Sequence, residues 1–378
     1  MKFVVSSSVL LKQISALEGV VAGNPVVPIL ENFLFEIKEG KLLVTASDLQ
    51  VTVVSELSVD VEREGSVAIP AKMLSDTLRN LPEQPVTITV DEEDFVVQIF
   101  SANGKYRLAG ENAIDFPKVP ELENTQSTEV ASEVISSAIA YTLFATSTDE
   151  MKPAMNGVYV NISPSQAVFV ATDGHRLMRY KRLDVSSSGE LEEFIIPRKA
   201  LTILKKSLPA DDTPLQLTYN DQHASFRFNT IQMTCRLIDE NFPDYENVIP
   251  LDNDKTMRIG RTELMSSLKR MAIYANKSTN QIRLKIAGDQ LEVSAEDIDF
   301  SNEASEKLFC DFEAEDGAEI EIGFNARFLI DGLSNLSADK VAFDFSEPNR
   351  AALLKPNDSE SDEDILMLIM PVMLNNYY

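Results

Sequence analysis

Asp173 and His175, separated by one residue, are the pair in this chain closest to a reactive arrangement: a carboxylate that could orient an imidazole for proton transfer. A Ser-His-acid or Cys-His-acid set would have to use His175 or His223, because the chain has only 2 histidines. Neither lies near a G-x-S-x-G elbow. No P-loop, dinucleotide fingerprint or HExxH motif occurs. Two histidines also exclude a histidine-rich metal site. Cys235 and Cys310 are the only cysteines, so there is no disulfide framework and a reducing cytoplasm fits. Taken alone, Thr172-Asp173-Gly174 reads as hairpin-turn chemistry. The expectation is a non-enzyme with no catalytic residue, metal or cofactor.

Basic residues offer a second chemistry. The chain carries 34 Lys+Arg against 60 Asp+Glu, a formal charge of −26, and should repel bulk polyanions. Six stretches with helical spacing break this pattern: 8–21, 70–81, 132–145, 197–208, 260–276 and 325–336. Together they carry a formal +6, leaving −32 for everything else. Helices tolerate Lys and Arg well, but they tolerate Glu equally. Only Glu18, Asp76, Glu133, Glu263 and Asp331 oppose the cations in these stretches. The pattern points to a helix-lined basic surface facing a polyanion. No zinc finger, recognition helix or aromatic stacking run accompanies it. Contacts are therefore expected to phosphates, sensitive to salt and indifferent to base sequence. A structural or adhesion-type β-protein would not need basic helices in an acidic chain.

The elements that must position these groups repeat. Pro70 to Pro197 is 127 residues, and Pro197 to Asn325 is 128. Phe116-Pro117, Phe242-Pro243 and Met370-Pro371 keep steps of 126 and 128. Ala46-Ser47-Asp48, Ala171-Thr172-Asp173 and Ala295-Glu296-Asp297 keep steps of 125 and 124. A period near 126 is too long for a solenoid unit and fills 378 residues three times. Three tandem domains follow, at 1–122, 123–249 and 250–378.

Each domain is itself doubled. Lys2–Val5 reads as a strand, and Leu10, Ile14, Leu17 and Val21 mark one helical face. Strand-like runs follow at Phe33–Ile37, Leu42–Ala46 and Val51–Leu57. The pattern restarts at Val67–Ile69, with Pro70 opening a helix. Val86–Val90, Val96–Phe100 and Tyr106–Leu108 are strands again. Asn325, in place of proline, is a good N-cap. The acidic stretch Asn357–Asp364 reads as a solvated turn. Strand, helix, three strands, used six times, makes an α+β protein with two helices per domain on antiparallel sheets. No run reaches the roughly 18 apolar residues of a membrane span, and the start Met1-Lys2-Phe3-Val4-Val5-Ser6 turns polar too early for a secretory signal.

Several segments, in this order and spacing, resemble the bacterial DNA polymerase III beta subunit, the sliding clamp family. They are Met1-Lys2-Phe3, Pro25-Val26-Val27-Pro28-Ile29-Leu30, Ala171-Thr172-Asp173-Gly174-His175-Arg176-Leu177 and Ile196-Pro197-Arg198-Lys199. Phe242-Pro243-Asp244-Tyr245, Ile322-Gly323-Phe324-Asn325 and Ile369-Met370-Pro371 complete the set. The resemblance implies the DNA clamp fold and a head-to-tail homodimer closed into a ring, helices inside and sheets outside. It implies a processivity factor without chemistry, acting in the cytoplasm. The ring would encircle double-stranded DNA and tether the replicative polymerase, the clamp loader and repair proteins through short linear motifs. An ATP-driven loader would place it on DNA.

By the same resemblance, a hydrophobic groove between the second and third domains receives those motifs. The matching positions are Met155, Thr172, Gly174, His175, Arg176, Leu177, Pro243, Asn247 and Val248, with Leu368, Ile369, Met370, Pro371, Val372 and Met373 from the tail. Asn247 and Met373 stand where arginine is frequent, and Asn375-Asn376-Tyr377-Tyr378 extend past the usual end. Candidate phosphate contacts are Lys12, Lys72, Arg79, Arg198, Lys199, Lys205, Lys206, Lys269, Arg270 and Arg327. In 260–276 the buried stripe is Leu264, Leu268, Met271 and Ala275, and Ile273 lies about half a turn away. An exposed Ile273 beside Tyr274 suggests an interface. The resemblance has these two meet the first domain's edge strand near Tyr106 and Leu108 across the dimer joint.

Overall fold

The apolar stripes become six α-helices among the described residues: α1 (Ser7–Leu17), α2 (Ala71–Arg79), α3 (Ser132–Thr142), α4 (Arg198–Ser207), α5 (Arg261–Tyr274) and α6 (Ala326–Asn335). The structure is a computed structural model and describes residues 1–378 except Ala22, 186–191, Asp316, 359–361 and 375–378. The tail extension Asn375–Tyr378 and the centre of the acidic turn after Asn357 therefore lie outside the described residues. Leu10, Ile14 and Leu17 are buried on α1 as expected, but the helix stops there. Val20, not Val21, is buried in the turn that follows. Pro70 is the N-cap of α2 and ends a strand, so it sits one residue before the first helical position expected for it. Asn325 caps α6 as expected, its side chain accepting from Arg327 N at 3.0 Å.

One compact unit comprises Met1–Ser136 and Lys199–Leu237. It holds a five-stranded sheet ordered Asp60–Arg63, Lys2–Ser6, Pro85–Val90, Val96–Phe100, Lys105–Ala109. It also holds an eight-stranded sheet ordered Gln126–Ala131, Pro214–Tyr219, His223–Phe228, Ile231–Arg236, Val51–Ser58, Lys41–Ser47, Asn32–Lys38, Gly65–Pro70. Within this unit α1 packs on α2 and on the strand Val51–Ser58.

The other unit comprises Ser137–Arg198 and Ile238–Tyr378. Its nine-stranded sheet is ordered Glu192–Pro197, Gly157–Ile162, Ala167–Thr172, Arg176–Arg182, Glu363–Ile369, Ala352–Pro356, Lys340–Phe345, Lys255–Gly260, Asp311–Glu313. A four-stranded sheet runs Asn302–Phe309, Gln290–Asp297, Gln281–Ala287, Glu319–Asn325. Here α5 packs on α6 and covers the strands Gln290–Asp297 and Asn302–Phe309. Alternation drives the burial: Ile282, Leu284 and Ile286 face the core from one strand, with polar neighbours between them. The class is α+β, and every paired strand is antiparallel.

The eight-stranded sheet joins strands of the first and second sequence repeats at the antiparallel pair Val51–Ser58 and Ile231–Arg236. The nine-stranded sheet joins the second and third repeats at Arg176–Arg182 and Glu363–Ile369. At each junction, the fourth strand of one repeat meets the last strand of another.

Candidate functional site

The Asp173–His175 pairing resolves into a turn. Asp173 Oδ1 accepts from His175 N at 2.9 Å and from Arg176 N at 3.0 Å, and its Oδ2 accepts from Arg176 Nε at 3.1 Å. Thr172 Oγ1 donates to Arg176 O at 2.7 Å and accepts from Gly174 N at 3.1 Å. Gly174 turns the chain at φ +92°, where a side chain would be strained. The carboxylate is thus committed to backbone amides and a guanidinium, and the imidazole has a different neighbour. His175 is exposed and stacks on Phe328 of α6, ring centroids 6.1 Å apart and planes 21° apart. Asp48 builds a similar turn, accepting from Gln50 N and Val51 N at 2.9 and 2.7 Å. At both positions the Ala-x-Asp marker is turn chemistry.

Arg176 is the best-held cation among the described residues. It is buried, and its three nitrogens reach Asp173, Asp331 Oδ2 at 2.8 Å and Phe144 O at 2.8 Å. Its guanidinium lies over the Phe328 ring at 4.6 Å and the Phe144 ring at 5.3 Å. It therefore ties the hairpin to α6 and to the turn after α3.

Beside this hairpin the sheet presents a buried apolar cluster that includes Tyr159, Val170, Leu177, Leu353, Leu366 and Leu368. Leu177 lies directly opposite Leu368, and Met370 N donates to His175 O at 2.9 Å. Ala154, Ile238, Phe242, Tyr245 and Ile249 pack half-buried over the cluster. Phe242 stacks on Tyr159 at 4.9 Å. Burial away from water pushes the Tyr245 hydroxyl up to about 12.

Of the expected groove positions, Leu177 and Leu368 belong to this cluster, and the others are distributed around the hairpin and the tail. Leu177 and Leu368 are buried in the cluster, and Ile369, buried too, points to the opposite face of its strand. Met155 is half-buried next to Ala154, and Pro243 is exposed beside Phe242. Val248, Met370 and Met373 are exposed. Asn247 bends back on Asp244, Nδ2 to Oδ2 at 2.5 Å. Pro371 leads the tail to Val372, whose N donates to Gly323 O at 2.8 Å. A Cβ at Gly323 would stand 2.5 Å from Val372 O, so only glycine admits the tail this closely. Thr172, Gly174 and Arg176 shape the hairpin itself, and Arg176 is 8% exposed. Phe242 and Tyr245, packed over the cluster, and Phe328, stacked on His175, join these residues although the sequence does not single them out as site positions. The repeated Phe-Pro marker already flagged Phe242, whereas Phe328 carries no sequence signal beyond following the Asn325 cap.

The ten candidate phosphate contacts fall into two groups. Lys12, Lys72, Lys205, Lys206, Lys269 and Arg327 are exposed and pair with no acid among the described residues. The other four are engaged. Arg79 pairs with Glu18 at 2.9 Å and Asp76 at 3.0 Å, Lys199 with Asp48, and Arg198 reaches Thr146 O at 3.4 Å. Arg270 is gripped by both oxygens of Glu306, at 2.6 and 2.7 Å. That pairing holds the Glu306 carboxyl down at about 2. The six helices carry eleven Lys and Arg against four Asp and Glu, a formal +7 in a chain of −26.

Ile273 is 65% and Tyr274 42% exposed at the end of α5. Next to α5 runs Asn302–Phe309, an edge strand with Phe309 77% exposed. In the other unit Lys105–Ala109 is likewise an edge strand, with Tyr106 37% exposed. Leu108 differs from the expectation. It is 5% exposed and packs opposite Val97 in its own sheet, so Tyr106 offers side-chain surface there and Leu108 does not.

Known proteins resemble the chain over its whole length. The family models of the DNA polymerase III beta subunit match residues 1–120 (N-terminal domain), 129–244 (central domain) and 246–373 (C-terminal domain). The beta sliding clamp of Vibrio cholerae is 31% identical over 375 residues, covering 99% of this chain and 100% of that protein. A sliding clamp from Pseudomonas aeruginosa bound to griselimycin superposes with a TM-score of 0.93 at 28% identity, covering 99% of this chain and 100% of the other. One from Bartonella birtlesii, also bound to griselimycin, gives 0.92 at 30% identity with the same coverage.

Proposed function

Because the chain belongs to the DNA polymerase III beta subunit family, the sliding clamps, we propose that two copies close head to tail into a ring around duplex DNA. The ring is a processivity factor, not an enzyme. It tethers the replicative polymerase and repair proteins, and an ATP-driven loader opens it. A closed ring holds DNA by topology, so each phosphate contact can stay weak while the tethered polymerase sees primer ends at high effective concentration. The observation that carries this reading is the charge pattern: helices at +7 in a chain of −26. An acidic exterior repels DNA outside the ring, and the helical lining offers cations to it inside.

The free sheet edges support the ring joint. Asn302–Phe309 is the fourth strand of the last repeat, and Lys105–Ala109 the last strand of the first repeat's second half. These are the same two positions that pair at both internal junctions. Joining them between copies would make a third long sheet and leave neither edge bare. Ile273, Tyr274 and Tyr106 then lie at the joint. Domain borders fall near 122/123 and 249/250. The face built on Leu177, Leu368, Met370, Pro243, Val248 and His175 receives short linear motifs. Methionines suit a surface that takes several partners. No helix among the described residues is long and apolar enough to cross a membrane, and we place the ring in the cytoplasm.

The test is loader-dependent retention on circular against linearised DNA. A clamp stays on the circle and runs off the linear ends. Equal retention on both would overturn the reading.

A further inference from the structure

Every repeat ends with the same return. The chain leaves its last strand and doubles back onto the strand that leads into the repeat's second helix, an edge strand in all three cases. Ala68 N donates to Glu111 O at 3.0 Å and Glu111 N to Ala68 O at 2.9 Å. Ile238 N donates to Ile195 O at 3.0 Å, and Val372 N to Gly323 O at 2.8 Å. In the first two repeats an aromatic ring follows and packs on the residue directly across the sheet from the bridge. Leu34 pairs with Ala68, and Phe116, five places past Glu111, is buried in one cluster with both. Tyr159 pairs with Ile195, and Phe242, four places past Ile238, stacks on its ring at 4.9 Å.

In the third repeat the residue across from the bridge is Arg283. It is half-buried, and its Nη1 donates to Glu321 at 2.6 Å. Its partners on the two adjacent strands are Gly323 and Ser294, both small. The tail already leans this way, since a Cβ at Gly323 would stand 2.7 Å from a Leu374 side-chain carbon. Five places past Val372, the interval from Glu111 to Phe116, stands Tyr377, outside the described residues. From Val372 to Tyr377 the chain spans up to about 17 Å, whereas two strand spacings are about 10 Å. Asn375 and Asn376 lie between and suit a turn. Asn112 has that role before Phe116, its side chain accepting from Ile114 N at 3.0 Å.

We propose that the chain's own tail docks on this sheet face, with the Tyr377 ring stacked over the Arg283 guanidinium. A guanidinium donates in its plane and offers its flat side to a ring, so Arg283 keeps Glu321 while it holds the tyrosine. The clasp covers the third repeat's face as Phe116 and Phe242 cover the other two. It also anchors Val372 from the far side of the Gly323 bridge. This docking needs neither a second copy nor DNA nor a peptide.

The test is hydrogen exchange at the Val372 amide of the full-length protein, read by mass spectrometry. Tyr377→Leu should speed exchange about threefold, the size of one exposed cation–π contact. Arg283→Ala should do the same, and the double variant should be no faster than either single one. Tyr377→Phe and Tyr378→Leu should leave the rate unchanged. An unchanged rate in Tyr377→Leu would overturn the docking. Multiplying effects in the double variant would also overturn it, because the ring would then rest elsewhere. An effect of Tyr378→Leu in place of Tyr377→Leu would break the interval and sink the proposal with it.

Discussion

Arg176 and Asp331, 155 residues apart in sequence, meet at 2.8 Å between Nη1 and Oδ2. Asp331 lies on α6 of the third repeat, whereas Arg176 belongs to the second, so the pair helps fix the two repeats in register. Arg176 is 8% exposed and also holds Asp173, which is mostly buried. Arg176→Met should destabilise the protein by about 2–3 kcal/mol, since removing one partner strands a half-buried carboxylate. Thermal melting checks this, and an unchanged Tm would mean the network contributes nothing.

Gly323→Ala should displace the tail from Val372 onward, because the new Cβ would meet Val372 O at 2.5 Å and a Leu374 side-chain carbon at 2.7 Å. Met370 and Met373 would lose their positions. Peptide affinity should fall severalfold while circular dichroism stays native. Full affinity would show that the tail's anchorage is irrelevant to binding.

Ile273→Asp combined with Tyr274→Asp should give monomers, since two carboxylates at an apolar joint would be desolvated without partners. Sedimentation velocity reads the outcome directly. A dimer surviving both changes would move the joint elsewhere.

Lys205 and Lys206 are exposed and pair with no acid among the described residues, whereas Arg270 is held by Glu306. Replacing both lysines by alanine should reduce the slope of log affinity for duplex against log salt by up to roughly 2, at about 0.9 for each phosphate no longer neutralised. Arg270→Ala should change it less. Glu306→Ala should raise affinity by freeing Arg270. With its carboxyl lowered from 4.5 to about 2, the Arg270–Glu306 pair is intact above pH 4.5 and is lost as pH falls through about 2. It therefore restrains Arg270 throughout the neutral range.

Burial pushes the Cys235 thiol up to about 12 and, with Asp289 and Asp311 nearby, the Cys310 thiol up to about 11. At pH 8 neither should react with iodoacetamide in the folded protein, and both should react in denaturant. Mass spectrometry counts the adducts.

The threefold period was legible because it rests on local chemistry. Asp48 and Asp173 close turns, and Pro70 and Asn325 stand at helix N-caps. Helix positions followed from stripes such as Leu264, Leu268, Met271, all buried. The strands Asp60–Arg63 and Asp311–Glu313 were not legible, since both are short, charged edges without alternating apolar residues. Leu108 looked like joint surface because a sequence cannot say which face of an edge strand its own sheet occupies. Ion pairing was equally hidden. Nothing in the order of residues distinguishes Arg270, gripped by a carboxylate 36 positions away, from its neighbour Lys269. The stacking of Phe328 on His175 is tertiary in the same sense.

Sheets that run through the repeat borders deny the repeats autonomy. Cutting out the first one would strip Val51–Ser58 of its companion Ile231–Arg236 and lay bare a mostly buried row of valines with their amides. An excised repeat should therefore be sticky and short-lived in isolation, and dissecting this molecule by expressing its thirds would yield aggregates in place of working modules.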